Sequence, residues 1–245
     1  MGIMKNLIIT LLTFLTVQTF AQKDAGIISY TYERDWLKMI EKDKSMSNDE
    51  KARALQTWKN DATSKQYMDL QFNPKGSLYE KGANERGSSW EKVSYSVRRD
   101  FENQKVYETQ MIAGKVQLVE DSLYTYPWKI KSEIKEVAGY LCMLATTYDT
   151  LRKYDVQAWF TTDIPVGVGP EDFHGLPGAI LELNVNDGVV VITATAIKLN
   201  PAQQVPALPK KSKGKKITRE VYHENLKKFF KASEKDGGGF WGLRY

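Results

Sequence analysis

Apolar and polar residues alternate along much of this chain. Ile28, Tyr30 and Tyr32 interleave with Ser29, Thr31 and Glu33, and a period of two predicts a strand. The alternation returns at Met68, Leu70 and Phe72, at Val93, Tyr95 and Val97, and at Tyr107, Thr109 and Met111. Val116-Gln117-Leu118-Val119 follows, then Ile130, Ser132 and Ile134, then Tyr140, Cys142, Leu144 and Thr146, then Val156, Ala158 and Phe160. Strands in such quick succession, parted by turns such as Asn73-Pro74-Lys75-Gly76, predict antiparallel pairing through hairpins. The sharpest hairpin signal is Asp187-Gly188, suited to a two-residue type I′ turn. With that turn, Leu183 and Val185 oppose Ile192 and Val190, while Glu182 and Asn184 oppose Thr193 and Val191, so one face is wholly apolar.

Two segments break the alternation. Ser47 and Glu50 have the spacing of a capping box, and Ala52, Leu55, Trp58 and Ala62 predict a short amphipathic helix from there to about Thr63. Thr218 opens a second helix over 218–235, with Glu220 near its positive end and Tyr222, Leu226, Phe229 and Phe230 as its apolar stripe. Before it lies a Pro/Lys-rich linker, 200–217, with Pro201, Pro206 and Pro209 and five lysines between 210 and 216. After it, three glycines lead into the aromatic tail of 236–245. The expected fold is mainly β (α+β): one domain over 22–245, a curved antiparallel sheet with an N-terminal helical insertion and a C-terminal helix.

The first residues have another character. Lys5 precedes the apolar run Leu7-Ile8-Ile9-Thr10-Leu11-Leu12-Thr13-Phe14-Leu15, and Thr19-Phe20-Ala21 supplies a small-residue exit. A basic start, a short apolar centre and a small-residue cut site are the parts of a secretory signal. Residues 1–21 are expected to be removed, with a periplasmic or secreted destination and no lipoprotein Cys at Gln22. No later stretch is apolar enough to span a membrane. The net charge of +5 falls by one when Lys5 leaves, too weak an excess to indicate nucleic acid. Cys142 is the single cysteine, so no disulfide forms within one chain.

The least ordinary connection runs from Asp163 to Gly178, with Gly167, Gly169, Pro165, Pro170 and the string Phe173-His174-Gly175-Leu176-Pro177-Gly178. A connection that long is seldom idle. Leu176-Pro177-Gly178-Ala179 suits a type II turn with Gly178 at positive φ.

Gly139-Tyr140-Leu141-Cys142, Trp159-Phe160-Thr161, Ile164-Pro165, Gly169-Pro170 and the run Phe173 to Glu182 follow one another in order. Together they resemble the GLPGLI family, exported proteins chiefly of the Bacteroidetes, by motif over about 128–183 and by layout over most of the chain. Ala179 stands where that signature has Leu. The resemblance implies no established activity. Its layout is similar to the open half-barrel of periplasmic lipoprotein carriers, an analogy of fold alone.

Cys142 and His174, with Asp163 or Asp172, could form a nucleophile and base. Cys142 lies in mid-strand phase, however, where a cysteine is usually a small buried hydrophobe. Two histidines in the whole chain are few for zinc, and no spaced Asp/Asn loop for calcium occurs, so neither metal nor cofactor is expected. Glu171 and Asp172 read as a solvated loop, and His174 as a loop-surface side chain. The expected function is a non-catalytic binding or carrier protein of the Gram-negative cell envelope, handling an apolar ligand, lipid or partner polypeptide. Trp159, Asp163, Phe173, His174 and Leu176 are its candidate contacts, with Gly175, Pro177 and Gly178 as structural signature. The alternatives are a hydrolase acting from the 163–178 loop and an outer-membrane assembly factor.

Overall fold

The computed structural model describes residues 23–44, 46–82, 95–112, 115–206 and 214–235. The predicted signal, Val93, Lys210, Lys211, Lys213, Phe240 and the rest of the tail lie outside them. Strand β1 (Gly26–Asp35) runs into two short helices, α1 (Trp36–Lys42) and α2 (Asn48–Trp58). Five strands follow: β2 (Thr63–Asn73), β3 (Gly76–Lys81), β4 (Ser96–Asp100), β5 (Lys105–Ile112) and β6 (Lys115–Ser122). Then come β7 (Lys129–Val137), β8 (Tyr140–Asp149), β9 (Tyr154–Thr161), β10 (Ala179–Val185) and β11 (Val190–Leu199). The short β12 (Lys215–Ile217) leads into α3 (Arg219–Lys235).

The twelve strands of the described residues form one open sheet in the order β12-β6-β5-β4-β3-β2-β1-β11-β10-β9-β8-β7. Every pairing is antiparallel except β12 with β6. From the central β1 the chain walks outward to β6, restarts at the opposite edge with β7, and walks back to β11 beside β1. That restart forces curvature. In a flat sheet, β6 and β7 would stand ten strand spacings apart, about 48 Å. The link between Ser122 and Lys129 reaches at most about 25 Å when fully extended. The sheet therefore bends into an open half-barrel whose edges approach each other. Leu151, in the turn after β8, accordingly packs in one cluster with Ile112 of β5 and Val119 of β6.

The main core lines the sheet and includes Ile28, Tyr30 and Tyr32 of β1, Leu70 and Phe72 of β2, and Leu183 and Ile192 of the last hairpin. In that hairpin Val185 pairs with Val190 and Leu183 with Ile192, the register expected from Asp187-Gly188. Asp187 and Gly188 both have positive φ, as a type I′ turn requires, and Asn186 does too. The capping box also forms: Ser47 Oγ accepts from Glu50 N at 3.3 Å, and Ser47 N donates to Glu50 Oε2 at 2.8 Å.

Four features depart from the sequence reading, the first being β3 (Gly76–Lys81), a strand it does not include. Helix α1 is additional, capped by Asp35, whose Oδ1 accepts from Lys38 N at 3.0 Å. Its seven residues span about two turns, too few to show a helical period. Helix α2 ends at Trp58 rather than near Thr63 and buries no residue, so its amphipathic pattern does not make it part of the core. The end of the supposed linker forms β12, with Lys215, Lys216 and Ile217 beside Gln117, Leu118 and Val119. Helix α3 then lies over the gap between the edges, with Tyr222 and Leu226 buried against Ile112, Val119 and Ile217.

Candidate functional site

The connection between β9 and β10 turns inward and fills the half-barrel. Ile164, Val168 and Phe173 have no exposed surface, and Leu176 nearly none. Each buried side chain of this kind contributes about 1.5–3 kcal/mol. Backbone bonds fix the shape: Gly175 N donates to Gly167 O at 2.9 Å, and Ile180 N to Val168 O at 2.9 Å. From β1, Tyr30 donates its hydroxyl hydrogen to Ile180 O at 2.6 Å. From β4, the fully buried Arg99 donates to the carbonyls of Gly169, at 3.3 Å, and Glu171. Glu171 itself holds φ +54°, a left-handed conformation unusual for a residue with a side chain. From the link after β6, Trp128 Nε1 donates to His174 O at 2.9 Å, and the Tyr126 ring stacks on Phe173 at 4.7 Å.

Several expectations for the loop are corrected by this packing. His174 is buried, not at the surface, and burial, reinforced by the positive charge of Arg99, holds its pKa down to about 3. Glu171 and Asp172 are buried rather than solvated. Gly178 is not the residue at positive φ; Gly175, at φ +89°, is. Gly178 is required for a different reason, since a Cβ there would stand 2.0 Å from the Thr161 carbonyl oxygen. The candidate contacts also separate. Phe173, His174 and Leu176 face inward, whereas Asp163 and Pro177 are exposed. Trp159 is half-buried on β9 beneath the Lys135 ammonium, 4.5 Å from its ring, and Lys135 pairs with Glu182 at 2.6 Å. Cys142 is buried, and that burial pushes its thiol up to about 11, which suits packing and not nucleophilic attack.

Asp172 is the residue of the loop that lines an open cleft with other charged side chains. The cleft, about 90 Å³, lies where the sheet edges approach, between the β6–β7 link, the β8–β9 turn and the start of α3. Glu108 of β5 and Asp149 of β8 share it with Asp172, facing Arg152 and Arg219. The charges pair internally. Arg219 Nη2 lies 2.6 Å from Glu108 Oε1, Arg152 Nη1 lies 2.8 Å from Asp149 Oδ2, and Arg219 Nη1 lies 4.0 Å from Asp172 Oδ2. Tyr126 donates to Asp172 Oδ2 at 2.7 Å. Burial and the Asp172 charge beside it raise the Tyr126 phenol, so it remains a donor. Asp149 also accepts from the backbone N–H groups of Leu151 and Arg152, at 2.9 Å each, which fixes the turn. Asp121 Oδ2 accepts from Arg219 N at 2.8 Å and anchors the start of α3. At the rim, Tyr124 and Tyr148 are each 47% exposed. His223 completes the lining, its pKa lowered by burial and by Arg219. Among the described residues, no three His, Cys, Asp or Glu side chains are grouped to hold a metal ion. No described helix is long and apolar enough to cross a membrane.

An open twelve-stranded sheet filled by its own loop and carrying a charged cleft at the meeting edges defines a mainly β domain. Residues 149–182 match the family described as "Protein of unknown function (Porph_ging)". That stretch runs from Asp149 of the cleft through the whole inserted loop. No curated protein matches the chain. Among solved structures, PNGF-II in one crystal form aligns with a TM-score of 0.54 and 15% identity, over 84% of this chain. A second crystal form gives 0.52 and 16%, over 83%. The chain spans about a third of the PNGF-II chain in both, 33%. At such identity the likeness is one of fold.

Proposed function

We propose that the chain is an exported, non-catalytic binding domain whose recognition site is the cleft at Glu108, Asp149, Asp172, Arg152 and Arg219. One observation carries this reading: His174, the loop's candidate base, is sealed inside the molecule while the cleft's charges are already paired with one another. A general base must reach the proton it removes, and a buried imidazole held neutral does not. The loop then acts as the filling of the half-barrel, and recognition falls to the open cleft beside it. Export rests on the Lys5, Leu7 to Leu15 and Ala21 pattern, and the ordered GLPGLI-like motifs agree with an envelope location. A carrier of apolar ligands would need room on the inner face of the sheet, where Ile164, Val168, Phe173 and Leu176 stand.

The hydrolase reading keeps one specific support, the three carboxylates sharing the cleft. Hydrogen exchange of the full chain with and without a cell-envelope extract separates the two. Binding predicts slowed exchange at residues 124–128, 148–152 and 219–223, with no chemical change in the extract. Slowing confined to other surfaces removes the cleft as the site. Turnover that disappears in Asp172→Asn makes the protein an enzyme.

A further inference from the structure

Resting on the cleft as recognition site, we propose that its ligand is an uncharged polyhydroxylated ring, a sugar residue, held by the ion-paired side chains and flanked by Tyr124 and Tyr148. The charge pattern argues for a neutral guest. Glu108 and Asp149 are closed on Arg219 and Arg152 at 2.6 and 2.8 Å, with these four side chains between 3% and 17% exposed. An anion or a cation that took over one member of such a pair would leave the other, partly buried, uncompensated. A hydroxyl need not. Asp149 Oδ1 is filled by the backbone N–H groups of Leu151 and Arg152, but Glu108 Oε1 and Asp149 Oδ2, the oxygens that meet the arginines, each keep a lone pair, and each guanidinium has five N–H donors. The pairs thus offer fixed acceptors and donors side by side. Adjacent hydroxyl groups, each both donor and acceptor, match that order.

The rim argues for a ring. Tyr124 and Tyr148 are the half-exposed aromatic side chains of the cleft, at 47% each. Aromatic faces carry apolar area at small loss of side-chain freedom, and the C–H groups of a sugar ring are a flat apolar counterpart. Tyr124 is already held in place. Its ring meets Tyr126 edge-on at 5.2 Å, and the Arg219 guanidinium lies 5.8 Å from its centre. The volume, about 90 Å³, is too small for a long apolar molecule and leaves a larger guest partly outside the cleft.

The test is a titration of the isotope-labelled full chain, followed by backbone amide resonances. The neutral probes are methyl glucoside, methyl mannoside and N-acetylglucosamine; inorganic phosphate and glycine are the anionic and zwitterionic ones. A single ring implies dissociation constants of about a millimolar or weaker. At least one neutral sugar should shift the amides of Tyr148, Leu151 and Arg152, with little dependence on salt. Tyr148→Ala should weaken it by about tenfold with unchanged melting temperature, since that ring is half exposed, and Tyr124→Ala should weaken it similarly at some cost in stability, since its ring also packs on Tyr126. Shifts of those amides by phosphate or glycine alone would overturn the sugar while keeping the cleft as the site. Sugar-induced shifts elsewhere would overturn the cleft reading itself. Silence from all five probes would overturn the sugar proposal.

Discussion

Tyr126 donates its phenolic hydrogen to Asp172 across 2.7 Å, joining two segments 46 residues apart in the chain. One is the link that carries the chain from one edge of the sheet to the other. The second is the loop that fills the half-barrel. The Tyr126 ring also stacks on Phe173, the next residue of that loop. Its neighbour Tyr124 stands at the cleft rim, so a single run of aromatic rings leads from solvent to core. The cleft and the filling are mechanically one unit.

Tyr126→Phe keeps the stack and removes only the hydroxyl. Asp172 loses a donor, and a hydrogen bond to a charged group is worth about 1.5–3 kcal/mol. Urea unfolding should show a loss of about 2 kcal/mol for this variant. An unchanged midpoint would mean that the bond contributes nothing to holding the loop.

His174→Ala should destabilise the fold, because it empties a buried site and removes the hydrogen bond its ring makes with the Tyr124 backbone. The expected loss is about 2–4 kcal/mol. The pH dependence has a definite sign. The folded pKa is about 3 and the ordinary value is 6.5, so between them the unfolded chain binds a proton that the folded chain does not. Stability from this group is full above about pH 6.5 and falls as the pH drops toward 3. Over the range from about pH 6 to 5, wild type should lose up to about 1.4 kcal/mol per pH unit more than the variant. Parallel curves for the two proteins would show that His174 titrates normally.

Gly178→Ala should be far more harmful than Gly139→Ala. At Gly178 the added carbon would lie 2.0 Å from the Thr161 carbonyl oxygen, a backbone atom that cannot swing aside. At Gly139 nothing stands within 4 Å, and only the positive φ of +81° is strained. The expected losses are about 3 kcal/mol or more and about 1 kcal/mol respectively. Equal melting temperatures for the pair would refute close approach as the reason for Gly178.

What the sequence showed was what repeats locally. The period of two located nearly all the long strands, and Asp187-Gly188 with its apolar flanks gave the pairing of Val185 with Val190. What it concealed depends on pairs distant in sequence. β12 has three residues and a partner nearly a hundred positions away, so no periodicity announces it. Glu108, Asp149 and Arg219 look like ordinary solvated charges, because only the curvature of the sheet brings them together. Phe173 was legible as an apolar pin, because a loop this rich in glycine needs one to hold a single shape, but the inward direction of Leu176 and His174 could not be read from composition. One concealed residue did leave a trace. Arg99 is two positions after Val97, which places it on the buried face of a strand where a charge is out of character.

Arg99 therefore yields the most direct test of how the loop is held. Its side chain is fully buried and reaches the carbonyls of Gly169 and Glu171, with Ser77 Oγ 3.4 Å away. Burial depresses its pKa, and the nearby Asp172 and Glu108 charges oppose that shift. Replacing it with Leu would leave buried acceptors without their donor, at about 1–3 kcal/mol each, and uncover the charge of Asp172. Arg99→Leu should lose about 3–5 kcal/mol in urea unfolding. Arg99→Lys should recover only a part, since one ammonium cannot reproduce the spread of a planar guanidinium. Where the variants still fold, hydrogen exchange should quicken at Gly175 and Ile180, whose amides close the loop, before it quickens in β1 and β11. If Arg99→Leu instead unfolds like wild type with those amides still protected, the apolar side chains alone hold the loop. The buried guanidinium would then have no structural role there.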